Sequence, residues 1–292
     1  MRAAVVLALP VFASVLIAPA FAQNGAQNKP APAAATLKLT RAAISQSEDG
    51  PAVENGTAFL AGDLAFFSFQ VENYKTGTTG KVQLTGHIQA FDPNGTAIVP
   101  RDEEVIGTTV SQEDKDWKPK LRLPIQIPSI APPGNYTIKF EVTDQQTRQT
   151  ASGELAFPVG GRGVAPADVL TIRNPGFYRA QDDENALKLA AYRAGDKLWV
   201  RFDITGYKHG EQNSIDVSYD VAVLGPDAAQ LFAQEDAAVE KSQAFYPQPW
   251  VPGGFNLSLD PTMRVGTYTL VITAHDGVGK QTAETKAEFR VE

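Results

Sequence analysis

Along most of the chain apolar and polar residues alternate one for one. No long stretch holds the spacing of an amphipathic helix, so the expected elements are β-strands. Ala65, Phe67, Phe69 and Val71 fall on one face of such a strand. The spacing returns at Leu198, Val200, Phe202 and Ile204, whose opposite face, Lys197, Trp199, Arg201 and Asp203, reads as solvated. A second strand carries Val82, Leu84, Ile88 and Ala90, and its later counterpart carries Ile215, Val217, Val221 and Val223. Asp92-Pro93-Asn94-Gly95 then predicts a turn, because proline fixes φ and Asn-Gly tolerates positive φ. Two further runs, Leu121/Leu123/Ile125/Ile127 and Phe255/Leu257/Leu259, precede a Gly-x-Tyr and another alternating strand.

These pairs reflect a duplication. Ala61-Gly62-Asp63 recurs as Ala194-Gly195-Asp196 at an offset of 133, and at that offset Phe69 meets Phe202, Tyr74-Lys75 meets Tyr207-Lys208, and Pro93 meets Pro226. Trp117-Lys118-Pro119 aligns with Trp250-Val251-Pro252 in the same frame. After a one-residue slip, Gly134-Asn135-Tyr136-Thr137 meets Gly266-Thr267-Tyr268-Thr269 and Asp144 meets Asp276. About seven short strands per copy predict two tandem antiparallel Greek-key β-sandwiches, each with one face of each sheet buried. Tyr136 and Tyr268 head a late strand, where a tyrosine hydroxyl ties a loop to the sandwich. The expected bounds are 37–159 and 167–292, joined by a Gly-rich linker, 160–166, that predicts mobility between the copies.

The segments Gly134-Asn-Tyr-Thr-Ile-Lys-Phe-Glu-Val-Thr-Asp144 and Gly266-Thr-Tyr-Thr-Leu-Val-Ile-Thr-Ala-His-Asp276 resemble the ends of bacterial immunoglobulin-like modules. Both copies share the resemblance, which is similar to that of fibronectin-III-like and macroglobulin-like domains of exported bacterial proteins. It implies a fold and no activity, since such modules have no common active site. The chain has no cysteine, so it departs from antibody-type domains in their Cys pair and from macroglobulins in their thioester.

Residues 1–22 have the three parts of a secretory signal: Arg2, an apolar run from Ala3 to Ile17, and Ala20-Phe21-Ala22 before the expected cleavage point. Residues 23–36, rich in Ala, Pro, Gln and Asn, read as a flexible spacer. Export to the periplasm or cell surface is expected, with no membrane insertion once the signal is removed. The missing cysteine also removes lipid attachment, disulfides and thiolate chemistry, so stability must come from buried apolar surface. Hydrophobic residues make up 43% of the chain, which is enough for two cores. The net charge of -7 lacks the cationic surplus that nucleic acid demands.

Candidate chemistry is sparse. His87 and His275 are expected to face outward from their strands, and His209 to lie in a loop, with no evident catalytic or metal-binding partners. The acidic stretches Asp102-Glu103-Glu104, Glu113-Asp114-Lys115-Asp116 and Asp182-Asp183-Glu184 offer oxygen ligands of the kind calcium takes, without the spacing of a calcium loop. Solvated carboxylates are the simpler reading, so no metal or cofactor is assigned. The loop Phe245-Tyr246-Pro247-Gln248-Pro249-Trp250 is rich in aromatics. Trp250 has a counterpart and is expected to pack, whereas Phe245 and Tyr246 have none, which makes them the candidate partner-binding residues. The expected function is non-catalytic: a protein-binding or spacer module, with binding of a carbohydrate or envelope polymer through the loop aromatics as the alternative.

Overall fold

The computed structural model describes residues 36–292, Asn55 excepted. The expected signal segment and all but the last residue of the spacer lie outside the described residues. The first half contains β1 (Lys38–Ser45), β2 (Phe59–Leu60), β3 (Leu64–Glu72), β4 (Lys81–Phe91), β5 (Asp102–Thr109), β6 (Lys120–Gln126), β7 (Gly134–Asp144) and β8 (Thr150–Gly160). A three-stranded sheet in the order β1-β3-β6 faces a five-stranded sheet in the order β2-β8-β7-β4-β5. The second half contains β9 (Thr171–Tyr178), β10 (Ala191–Tyr192), β11 (Lys197–Thr205), β12 (Ile215–Leu224), β13 (Gln230–Ser242), β14 (Trp250–Ser258), β15 (Gly266–Asp276) and β16 (Gln281–Val291). Its sheets, β9-β11-β14 and β10-β16-β15-β12-β13, repeat the first pair strand for strand. Two duplicated immunoglobulin-like sandwiches therefore make up the described chain. Pairing is antiparallel except where the two-residue strands β2 and β10 run parallel to β8 and β16.

Alternation fills the cores. Ala65, Phe67, Phe69 and Val71 are buried from β3, as are Leu198, Val200, Phe202 and Ile204 from β11. The Phe69 and Phe140 rings lie 4.8 Å apart across the sheets, within the range of favourable aromatic pairs. Polar groups tie the loops in the same way in both copies. The Tyr136 hydroxyl donates to the Pro132 carbonyl at 2.7 Å, and that of Tyr268 to Arg264 at 2.7 Å, each four residues upstream. Buried Asp144 accepts the Lys75 amide at 2.7 Å, and buried Asp276 accepts that of Lys208 at 2.9 Å. Even the irregularity recurs: β1 and β9 shift register next to Arg41 (φ 52°) and Asn174 (φ 53°), left-handed residues of a bulge.

The register corrects one alignment. Gln70 pairs with Lys120 while its counterpart Asp203 pairs with Pro252, so the one-residue slip falls before β6 and β14 rather than after the tryptophans. Trp250 therefore stands in the place of Lys118. It is buried, whereas Trp117 is 38% exposed with its ring edge-on to Tyr74. The two tryptophans are not equivalent positions.

The corrected register also shows a size exchange between the copies. Gly86 on β4 lies beneath Leu121 of β6, and a Cβ at Gly86 would overlap Leu121 Cδ2. In the second copy the large residue comes from the opposite sheet, where Tyr219 replaces Gly86 and Gly253 replaces Leu121. The Tyr219 ring meets Phe202 edge-on at 4.9 Å, and its hydroxyl donates to the Gly254 carbonyl at 2.6 Å. Each core is filled once, from one side or the other.

Candidate functional site

The candidate loop connects β13 to β14. Its carbonyls are held by the second sandwich: the Tyr207 hydroxyl donates to Gln248 O at 2.6 Å, His209 Nε2 to the same oxygen at 3.0 Å, and Asn213 Nδ2 to Phe245 O at 2.6 Å. This scaffold aims Tyr246 at the first sandwich. The expectation that Tyr246 is an exposed aromatic is therefore corrected, since it is only 8% exposed and belongs to the first core together with Ile98 and Ala131. Its hydroxyl donates to Asp92 Oδ2 at 3.0 Å, across 154 residues of sequence. The other oxygen of Asp92 accepts the amides of Asn94 at 2.9 Å and Thr96 at 2.8 Å. Burial first, and then the Asp92 charge, push the Tyr246 phenol far above its ordinary value, so it remains a neutral donor. Phe245, next to it, is 51% exposed and is the candidate residue that solvent reaches.

A second contact closes the same joint. Asp203, expected on a solvated face, is completely buried, because Arg162 of the linker covers it. Arg162 donates to both carboxylate oxygens, at 2.7 and 2.6 Å, and Asn174 Nδ2 adds a third bond at 3.0 Å. A buried carboxylate needs such partners. The glycine-rich linker thus does not hang free: its one charged residue is fastened to β11. At the linker from which mobility is expected, the structure places two polar contacts, Tyr246 with Asp92 and Arg162 with Asp203.

The histidines acquire partners that chain spacing concealed. His87 Nε2 lies 3.7 Å from Glu103 Oε2. His275 Nε2 lies 2.8 Å from Asp220 Oδ2, and Thr282 Oγ1 lies 3.4 Å from His275 Nδ1. The register explains this line, because His275 pairs with Ser218 on one side and Thr282 on the other, which places Asp220 diagonally on the same face. Asp220 is also fixed by the Asp236 amide at 2.8 Å. A carboxylate, an imidazole and a hydroxyl in sequence have the order of a triad. The hydroxyl is that of an exposed threonine on β16, however, and at 3.4 Å from the ring it is too far for a well-made hydrogen bond.

In the acidic loop, Asp183 Oδ2 accepts the amides of Arg179 at 2.9 Å and Ala180 at 3.0 Å, which hold its carboxyl below the usual range. Arg201 stacks 3.6 Å above Tyr178 and donates to the Asp183 carbonyl. Asp183 thus shapes the loop. Among the described residues no three acidic or histidine side chains converge as a metal site would need. A groove of about 510 Å3 runs over the outer face of the first five-stranded sheet, lined by His87, Phe91, Arg101, Lys139 and Glu141 among others. Lys139 Nζ sits 5.4 Å from the centre of the Phe91 ring, and Arg101 lies 4.0 Å from Glu141. The alternation marks His87, Phe91, Lys139 and Glu141 as outward but does not reveal that they share a depression with Arg101.

No family model matches the sequence, and no curated protein matches it. The C-terminal domain of the Streptococcus pyogenes antigen I/II-family protein AspA is similar at a TM-score of 0.32 and 10% identity, over 88% of this chain and 99% of that one. The C-terminal domain of the Streptococcus agalactiae antigen I/II polypeptide BspA gives 0.29 and 9%, over 88% and 99%. A family 123 glycoside hydrolase from Clostridium perfringens gives 0.30 and 14%, over 44% of this chain and 28% of that one. Likenesses at that level transfer neither activity nor ligand to this chain.

Proposed function

We propose that this chain is a non-catalytic exported protein, in which two immunoglobulin-like sandwiches held at a fixed angle present the Phe245 loop to a protein partner in the periplasm or at the cell surface. The observation that carries the reading is the loop itself. Phe245 projects into solvent from a backbone held by Asn213, Tyr207 and His209, so an exposed aromatic is offered without the entropic cost of ordering a free loop. Export rests on the signal-like segment at residues 1–22. The test is cross-linking of the mature chain in its native envelope fraction, followed by reconstitution with the captured protein. The partner should bind stoichiometrically and be lost with Phe245→Ala, whereas retention of the partner by that variant would refute the role of Phe245. Turnover of a substrate, abolished by changing one polar residue, would refute the non-catalytic reading.

A second reading, binding of an envelope polymer, is favoured by the groove over β4, β7 and β8. There the apolar face of Phe91 lies among hydrogen-bonding groups of both charges. Retention of a glycan by the parent chain on an affinity array, and its loss with Phe91→Ala, would support this reading over the first.

A further inference from the structure

The joint between the two sandwiches has a counterpart at the far end of the molecule. In the joint, the lower end of the first sandwich comprises the turn at 92–97, Ile98, and the loop before β7. Ile98 and Ala131 are 5% and 2% exposed there, in one cluster with Tyr246. The linker passes over the same end, with Gly163 against Pro133.

The duplication reproduces this end in the second sandwich. Phe91 bridges Ala97 as Leu224 pairs with Gln230, so Leu231 follows where Ile98 does. Gly134 packs on Pro93 as Gly266 packs on Pro226, so Val265 precedes its glycine where Pro133 does. Here the apolar side chains are uncovered: Leu231 is 57% and Val265 76% exposed, and Leu189 stands exposed just before β10 at the same end. Exposed apolar groups clustered at one end of a soluble module mark an interaction surface.

The complementary surface is at the opposite end of the molecule. The loop between β5 and β6 occupies in the first sandwich the place that the Tyr246 loop occupies in the second, and it is not covered by any other sandwich. It carries half-exposed Trp117 and the acidic stretch Glu113-Asp114-Lys115-Asp116. The far end of the second sandwich carries exposed Arg193 and Arg264 among the carboxylates Asp196, Asp227, Asp260 and Glu292, so the contact offered there is apolar rather than one of opposite charge. Position 92 is also altered in a consistent way. Its counterpart is Gly225, so no buried carboxylate there requires the tyrosine hydroxyl that the 110–119 loop lacks.

We propose that two copies of this chain associate end to end, the Trp117 loop of one docking on the Leu231 and Val265 end of the next, between the ends equivalent to those of the internal joint but through Trp117 and apolar contact in place of its two polar fastenings. Such a contact is heterologous and does not close on itself, so it builds strings rather than symmetric dimers. This inference does not depend on the Phe245 reading. The test is sedimentation equilibrium of the chain without its signal segment, from dilute to concentrated solution, beside a Leu231→Asp/Val265→Asp variant and a Trp117→Ala variant. All three positions are exposed or half-exposed, and circular dichroism confirms that the variants fold. The parent should gain mass with concentration beyond two chains, and each variant alone should remain single. An equal mixture of the two variants, which holds one intact pair of ends, should stop at two chains. A parent of single-chain mass throughout, association that persists in both variants, or a mixture that stays single would each overturn the proposal.

Discussion

Tyr246 is the residue on which the molecule's two halves depend, and its chemistry sets what its loss should do. Tyr246→Phe leaves the ring in the first core but takes a donor from buried Asp92, a loss of about 1–3 kcal/mol in stability measured by urea unfolding. Arg162→Ala takes two bonds from Asp203 and opens it to water, and should cost about 1–2 kcal/mol in the same measurement. The sequence pattern places Asp203 on the outer face of its strand, and that much is correct. Alternation assigns a side chain to a face, however, and says nothing about whether another segment covers the face. Tyr246 shows the same limit, since lack of a counterpart in the other copy marked it as special without distinguishing a ligand contact from a joint contact. At His275 the missing information was register. Partial burial raises the Asp220 carboxyl, but the bonds from His275 and the Asp236 amide bring it below its ordinary value. Its stabilising contribution is therefore present above the ordinary carboxylate range and lost as pH falls through the folded value. NMR titration should find the Asp220 midpoint below that of a free aspartate, and His275→Ala should move it upward.

At the level of strands, the exchange of Gly86 and Leu121 for Tyr219 and Gly253 shows two solutions to one packing problem. Gly86→Ala should destabilise the first sandwich by about 1–3 kcal/mol, because the added methyl meets Leu121. Leu121→Ala in the same chain should cost less than in the parent, a coupling that a double-mutant cycle reads directly. The strands themselves were legible, because a period of two and two copies of every pattern leave little freedom. The position of the slip between copies was not. Identity of the Trp-x-Pro motifs favoured one frame, whereas the burial of Leu121 against Phe69, set by which face meets the core, selected the other.

For the whole molecule, the decisive fact is that an arginine among the linker glycines is bonded to the second sandwich, while Tyr246 of that sandwich is bonded to the first. Small-angle scattering of the chain should fit a single arrangement of the described sandwiches, and a Tyr246→Ala/Arg162→Ala variant should require a distribution of arrangements. The fold could be read from composition and period. The contacts at the joint could not, because they link residues far apart in sequence, at the one place where glycines argue for freedom.

The fastening of Arg162 to Asp203 also has a mechanical meaning. Asp203 belongs to β11, the middle strand of its sheet, so tension entering from the first sandwich passes through the guanidinium into a strand paired along both sides. The slack of Gly163 and the residues that follow it is removed from the path of the force. Stretching by a pulling experiment should therefore show the two sandwiches yielding only after the joint does, with the linker lengthening as a separate, earlier event once Arg162 has let go.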